Sequence, residues 1–280
     1  MTRQQLTAMI RSTGTYLCVG LDTDITKIPA SLQSHADPVY EFNRQIIDAT
    51  KDHCVAYKIN TAFYESSGAK GWETMERTVD YIPSTHFKIA DAKRGDIGNT
   101  SAHYAKAFFE TLAFDAVTVA PYMGEDSVRP FLEHTGKWTI VLGLTSNAGA
   151  KDFELQRMAS SAQPGRTTDE GLLYERVLTT VAGWGTPDNL MFVIGATQAD
   201  SFTAVRRLTP EHFYLVPGVG AQGGSLQEIS GKAMNKEVGL LVNASRAVIF
   251  ASSGEDFAEA ATRVAAGYHQ EMKGYLTSFY

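Results

Sequence analysis

The 280-residue sequence has few cysteines and no long apolar run. Its two cysteines, Cys18 and Cys54, lie in short apolar stretches, which is typical of buried, reduced thiols rather than of a disulfide framework. Nowhere does it approach the roughly 20 consecutive apolar residues that a membrane-spanning helix needs. We therefore expect a cytoplasmic protein with no membrane segment.

An excess of positive charge is also missing. Lys and Arg total 25 against 31 for Asp and Glu, which gives a net charge of −6 at pH 7. This balance disfavours binding to nucleic acid or to an anionic membrane, so any bound anion must be held by local positive groups. The seven histidines are scattered without the ligand spacing H-x-x-x-H, so the sequence predicts no metal site.

The first residues of the chain predict a helix. Arg3 and Arg11 are not separated by a continuous apolar segment, so we expect no signal peptide. Leu6, Met9 and Ile10 recur instead at helical spacing, which is typical of an amphipathic helix that covers one end of a core.

Short apolar stretches rich in β-branched residues alternate with longer helical patterns along the chain. The predicted strands lie near residues 16–21, 54–59, 87–90, 116–120, 139–144, 191–195, 213–216 and 240–243. Eight strands joined by helical crossovers are the pattern of an α/β protein with a (β/α)8 TIM barrel, and a doubly wound open sheet is the alternative. We predict one barrel domain over residues 1–280, with an N-terminal capping helix and a C-terminal helix.

Charged side chains follow the third predicted strand directly, in the stretch D-A-K-R-G-D. Asp91 and Lys93 are two residues apart, so on an extended backbone they point to the same side. A glycine then allows the carboxylate of Asp96 to turn back toward Lys93. Two simpler interpretations remain open. Asp96 could cap a helix that begins at Ile97, and Asp91 with Lys93 could form an ion pair on the rim.

Polar side chains stand at other predicted strand ends as well. They are Asp22 after the first strand, Lys58 in the second, Ser146 after the fifth, Pro217 after the seventh, and Ser245 with Arg246 after the eighth. In a barrel all carboxyl ends of the strands meet at one mouth, where active sites form. Two lysines and three acids at one mouth indicate a functional site rather than a solvated surface.

The stretch after the seventh strand is rich in glycine. Gly218, Gly220 and Gly223 match the spacing G-x-G-x-x-G, but the match comes too late in the chain and lacks the acid of a dinucleotide site. Such glycines still let backbone N–H groups approach a phosphate, which barrels commonly bind between loops seven and eight. Gln222 and Arg246 would complete this clamp. The alternative is a flexible turn beside a rim arginine.

The segment 146–168 is long and rich in Ala, Ser, Gly and Gln. A loop of this length inside a compact domain is typical of a lid, although slack surface is the simpler interpretation. Ser146, at its base, could form a hydrogen bond with a polar ring or an amide of a ligand.

Taken together, these residues resemble the orotidine 5′-phosphate decarboxylase family. The resemblance covers residues 18–250 and rests on Asp91-x-Lys93-x-x-Asp96-Ile97-x-x-Thr100 with Asp22, Lys58, the stretch 217–222 and Arg246. The long loop after the fifth strand and the stretch 242–247 are similar to the longer, bacterial-type subgroup (type 2).

The resemblance implies a carboxy-lyase that converts orotidine 5′-phosphate to uridine 5′-phosphate and CO2 in de novo pyrimidine (UMP) biosynthesis, without a cofactor. The implied catalytic residues are Lys93 as proton donor to C6, Asp91 beside the departing carboxylate, and Lys58 and Asp96 as supports of the charge array. The implied substrate contacts are Asp22, Lys58, Ile97, Thr100, Ser146, Pro217, Gln222 and Arg246, and those to the phosphate are Gln222, Gly223, Ser245 and Arg246.

The resemblance also implies a partner. In this family Asp96, Ile97 and Thr100 reach the site of the second subunit, so we expect a homodimer with a shared site. Two other functions remain open. One is a metal-dependent phosphosugar barrel with the same D-x-K-x-x-D core, which would carry an acid where this chain has Lys58. The other is a non-catalytic nucleotide-binding barrel.

Overall fold

A computed structural model describes residues 1–158, 171–197, 199–220 and 224–279. Within these residues eight parallel strands close into a barrel, each paired with its neighbours in chain order and the eighth with the first. The strands are β1 (Leu17–Gly20), β2 (Ala56–Asn60), β3 (Phe87–Arg94), β4 (Ala116–Val119), β5 (Trp138–Leu144), β6 (Leu190–Ile194), β7 (Phe213–Pro217) and β8 (Leu240–Ala244). The predicted (β/α)8 barrel is confirmed, and the open sheet is wrong.

Helices precede, connect and follow these strands. In the described residues they are α1 (Arg3–Thr13), α2 (Pro38–Thr50), α3 (Ala62–Glu65), α4 (Gly68–Tyr81), α5 (Gly98–Lys106), α6 (Glu125–Leu132), α7 (Leu173–Ala182), α8 (Phe202–Leu208), α9 (Leu226–Ala233), α10 (Arg246–Ile249) and α11 (Phe257–Phe279). Because they cover the outside of the barrel, the strands are apolar and buried on both faces.

Aromatic side chains fill the amino-terminal end of the barrel. Trp138, the first residue of β5, contacts Phe87 and Phe213 edge to face, with ring centroids 6.3 and 6.4 Å apart. These residues come from alternate strands and point inward, as the side-chain layers of such barrels do. This end of the barrel is therefore packed, and the opposite, carboxyl end is left to form a site.

The first helix covers the same packed end. Leu6 and Ile10 of α1 are fully buried, and Thr2 accepts a hydrogen bond from the backbone of Gln5 in a capping box. The indole N–H of Trp138 donates to the carbonyl oxygen of Met1 at 2.8 Å. The apolar face of α1 thus lies against the aromatic layer.

Both cysteines are buried thiols, as their apolar surroundings in the sequence indicate. Cys18 and Cys54 are free and buried. Burial raises the pKa of both thiols, that of Cys54 to about 12, so both are protonated at neutral pH. None of the helices in the described residues is long and apolar enough to cross a membrane.

A histidine is buried near the packed end, just before β7. His212 is 6% exposed, and neither of its ring nitrogens has a hydrogen-bond partner within the described residues. Its ring lies 5.3 Å from that of Phe192. Burial, with the guanidinium groups of Arg206 and Arg3, lowers its pKa to about 4. The folded protein therefore holds His212 in its neutral form at pH 7.

We expect the free energy of unfolding to decrease as the pH falls from about 6.5 to about 4. The unfolded chain binds the His212 proton first, because its pKa of about 6.5 exceeds the folded value, so acid favours unfolding. The difference corresponds to about 3 kcal/mol at most. Urea unfolding of the parent and of His212→Leu, measured from pH 8 to pH 4.5, should show a shallower pH dependence for the variant. Identical pH dependence in the two proteins would contradict this assignment.

Candidate active site

The carboxyl ends of the strands meet in one mouth, and two glycines let its walls approach closely. A Cβ on Gly20, at the end of β1, would lie only 2.6 Å from Cβ of Ser245. A Cβ on Gly195, after β6, would lie 2.7 Å from the backbone nitrogen of Ser146. Real side chains do not tolerate such distances, so both positions require glycine to bring Ser245 and Ser146 to the mouth.

A row of charges that alternate in sign lies across this mouth. The Lys58 ammonium, on β2, donates to Oδ1 of Asp22 at 3.1 Å and to Oδ2 of Asp91 at 3.0 Å. The other Asp91 oxygen, Oδ1, accepts a hydrogen bond from the Lys93 ammonium at 2.6 Å. Four of the five charges that the sequence predicted at the mouth are therefore in direct contact. We call this row, Asp22–Lys58–Asp91–Lys93, the charge array.

Burial and pairing oppose each other within the charge array. Burial disfavours the Lys58 ammonium, but the carboxylates of Asp22 and Asp91 outweigh that effect and raise its pKa above the ordinary lysine value. Burial likewise opposes ionisation of Asp91, yet the Lys58 and Lys93 ammonium groups lower its pKa below the ordinary range. Lys58 and Asp91 are therefore both charged at neutral pH. Removal of either group would leave the other buried with only one of its two charged partners.

The third strand differs from its prediction. It does not end near Ala90 but continues to Arg94, and its pairing with β4 shifts between these two residues. Lys93 has φ of 47°, in the left-handed region that non-glycine residues rarely adopt. The expectation of a plain extended backbone is therefore wrong, although the side chains of Asp91 and Lys93 do reach the same space.

Asp96 lies apart from the charge array. Its carboxylate accepts a hydrogen bond from the backbone N–H of Ile97 at 2.7 Å, and the expected turn toward Lys93 is not formed within this chain. Asp96 does not cap a helix either, because α5 begins at Gly98 with Ile97 as its N-cap residue. Ile97 is 61% exposed, and Thr100 is exposed as well. The three residues assigned to a shared site thus lie on an open face beside the mouth.

The loop after β5 is held at its base by a glutamate. Oε2 of Glu154 accepts a hydrogen bond from the backbone N–H of Thr145, and Oε1 accepts one from its hydroxyl, both at 2.7 Å. This contact fixes the backbone just before Ser146. A single turn over Ala148–Asp152 follows. Residues 159–168 of the predicted lid lie outside the described residues.

The glycine-rich stretch is described only in part. Pro217 ends β7, and Gly218 and Gly220 have φ of 99° and 76°, which favour glycine. A Cβ on Gly220 would also collide with the hydroxyl of Tyr268, which brings α11 against this loop. The predicted phosphate contacts Gln222 and Gly223 lie outside the described residues.

Ser245 and Arg246 directly follow β8, at the carboxyl end of the barrel. Arg246 is exposed at the mouth and forms no ion pair with the residues that the structure describes. The hydroxyl of Ser245 is buried and has no hydrogen-bond partner among the described residues. A cationic group and a hydroxyl are thus both available at the eighth strand, where barrels commonly hold a phosphate.

The charge array does not resemble a metal centre. The described residues contain no group of three or more His, Cys, Asp and Glu side chains placed to hold an ion. The Lys58 ammonium lies between the carboxylates of Asp22 and Asp91. The array thus supplies its positive charge from a lysine at the position where a magnesium-dependent relative would need an acid.

Two polar residues at the mouth were missed from the sequence. Glu154 contacts Thr145 across a loop, and no sequence pattern predicts that contact. Thr118 is different, because it interrupts the apolar strand β4 between Val117 and Val119. Its hydroxyl lies 3.0 Å from Oδ1 of Asp91. A polar residue at an inward position of a buried strand is unusual, and this signal could have identified Thr118 from the sequence.

The fold and the site define a class, that of (β/α)8-barrel enzymes with a charge-lined site at the carboxyl ends of the strands. The model of the orotidine 5′-phosphate decarboxylase / HUMPS family matches residues 15–261. The chain belongs to this family.

Individual relatives agree over nearly the full length of the chain. An orotidine 5′-phosphate decarboxylase of Christiangramia forsetii is 52% identical over 279 residues, which cover 99% of this chain and 99% of the relative. That of Flavobacterium johnsoniae is 53% identical over 281 residues, again with 99% of each chain covered. The solved structure of Leishmania donovani OMP decarboxylase is similar with a TM-score of 0.80 and 31% identity, over 98% of this chain and 100% of that one.

Proposed function

We propose that this chain converts orotidine 5′-phosphate to uridine 5′-phosphate and CO2, a step of de novo pyrimidine biosynthesis, without a metal or cofactor. The observation that carries the proposal is the charge array, in which the Lys93 ammonium stands 2.6 Å from the Asp91 carboxylate at the barrel mouth. The family and the relatives named above support the same reaction.

The chemistry of this reaction needs a fixed cation. When the bond between C6 and the carboxylate breaks, its electron pair stays on a ring carbon, and CO2 departs. A preorganised ammonium stabilises that developing negative charge. Lys93 then gives its proton to C6, and uridine 5′-phosphate results. Asp91 lies beside the departing carboxylate in this arrangement, and its Oδ1 holds the Lys93 ammonium in place before the substrate binds.

The rest of the substrate is assigned to the surrounding strand ends. Asp22 and Lys58 face the ribose hydroxyls. Ser146 and Gln222 are assigned to the pyrimidine, and Pro217 is assigned to the substrate contacts. The phosphate is assigned to Gln222, Gly223, Ser245 and Arg246, in support of which Arg246 is exposed at the mouth. Binding energy from the remote phosphate can then order the loops around the reacting ring.

We also propose that the active form is a homodimer built from single-domain chains of residues 1–280. Asp96, Ile97 and Thr100 of one subunit would complete the mouth of the other. Large apolar side chains support this, because Ile97, Tyr122 and Met123 are 61, 89 and 49% exposed beside the mouth. All three follow the neighbouring strands β3 and β4, and large exposed apolar side chains in one region of a surface are typical of protein interfaces.

The proposed reaction is tested by following the ultraviolet absorbance of orotidine 5′-phosphate. The parent protein should consume it, with equal rates with and without a strong chelator. Lys93→Ala should reduce turnover by at least about 1,000-fold while nucleotide binding stays measurable, because the ammonium acts mainly after the substrate is bound. Loss of activity on chelation that magnesium restores would favour the phosphosugar reaction. Nucleotide binding without turnover by the parent would favour the non-catalytic barrel.

Mixing two inactive variants tests the shared site. If Lys93 and Asp96 of one site belong to different chains, a mixed dimer of Lys93→Ala and Asp96→Ala has one site with both defects and one with neither. With random exchange about half of the dimers are mixed, so about a quarter of all sites should be active.

A matched control uses two residues of the same chain's mouth. A mixture of Lys93→Ala with Asp91→Asn should stay inactive, because every site of a mixed dimer then carries one defect. If subunits exchange and the Lys93→Ala and Asp96→Ala mixture is also inactive, both residues serve the same chain.

A further inference from the structure

We infer that Thr118 is a positioning residue that sets the backbone of Lys93 and the carboxylate of Asp91 for catalysis. Thr118 lies on β4, is fully buried, and touches the charge array from the wall of the barrel. The inference rests on the proposed decarboxylation, since it assigns Thr118 a part in that reaction.

The register between β3 and β4 determines which residues lie opposite Thr118. Val117 of β4 pairs with Ala90 of β3, and Val119 pairs with Arg94. Three residues of β3, from Asp91 to Lys93, therefore lie opposite the single residue Thr118. The regular ladder of backbone hydrogen bonds is interrupted there, as in a β-bulge.

The Thr118 hydroxyl bridges this interruption. Its oxygen accepts a hydrogen bond from the backbone N–H of Lys93 at 2.9 Å, which fixes a residue whose φ is 47°. Its proton is donated to Oδ1 of Asp91 at 3.0 Å. One hydroxyl thus uses both its accepting and its donating capacity on Lys93 and Asp91, the residues assigned to the proton transfer and to the departing carboxylate.

The second contact fixes the Asp91 carboxylate. Oδ1 accepts from Thr118 and from the Lys93 ammonium, whereas Oδ2 accepts from Lys58. With both oxygens held, the carboxylate cannot rotate away from Lys93. Without the hydroxyl, Lys93 loses its backbone anchor and Asp91 loses one of its three donors. A misplaced ammonium would then stabilise the developing charge poorly, while substrate binding through the remote phosphate would be retained.

The chain offers a matched set of variants. Thr118→Val keeps the shape of the side chain and removes the hydroxyl, and Thr118→Ser keeps the hydroxyl. Thr139→Val is the control, because Thr139 on the neighbouring strand β5 is equally buried and its hydroxyl has no partner in the described residues.

We expect Thr118→Val to lower kcat by about 10- to 100-fold with little change in KM. Thr118→Ser should recover most of the rate, and Thr139→Val should match the parent. An unchanged kcat in Thr118→Val, or an equal loss in Thr118→Ser or Thr139→Val, would overturn the inference.

A second measurement needs no substrate. Hydrogen exchange of the Lys93 amide, followed by NMR, should be slow in the parent and in Thr118→Ser and at least about tenfold faster in Thr118→Val. Equal exchange in parent and Thr118→Val would overturn the inference. A parent with slow Lys93 exchange but no decarboxylation would instead refute the proposed function and leave the Thr118 contact standing.

Discussion

The buried ammonium of Lys58 is the constraint on which the mouth of this barrel depends. A lysine charge inside a protein is costly unless it is paired, and here Asp22 and Asp91 accept its hydrogen bonds at 3.1 and 3.0 Å. Once Asp91 is fixed by Lys58, its second oxygen is left to hold Lys93. The order of charges therefore follows from the burial of one lysine, and it places the second ammonium at the open side of the mouth, where a substrate can reach it.

The rest of the fold supports this arrangement by packing the barrel at its amino-terminal end and around its mouth. Trp138 and its aromatic neighbours fill the amino-terminal end of the barrel, and α1 covers them. Gly20 and Gly195 allow the ends of neighbouring strands to approach so closely that Ser245 and Ser146 border the same space. Tyr268 brings α11 against the loop at Gly220. A rigid, packed scaffold thus carries a small number of polar groups at one end, as preorganised electrostatic stabilisation requires.

Much of this could be predicted from the sequence, because the relevant signals are local. The β-branched stretches gave eight strands, and a parallel barrel brings their carboxyl ends together, so Lys58 and Asp91 had to be neighbours. The bulge that gives Lys93 its left-handed backbone could not be predicted, since it depends on how β3 pairs with β4. The orientation of Asp96, in the segment between β3 and α5, likewise depends on contacts outside its own segment.

The most direct test of the charge array is the ionisation of Asp91. Its side-chain carboxyl carbon can be followed by NMR from pH 7 to pH 4, with the signal assigned by its loss in Asp91→Asn. An ordinary aspartic acid, with a pKa of about 3.9, is about half protonated near pH 4. The array lowers the pKa of Asp91 below this range, so its chemical shift should stay constant. A shift that moves toward the protonated value over this interval would show that Lys58 and Lys93 do not hold Asp91 as described, and would contradict the account.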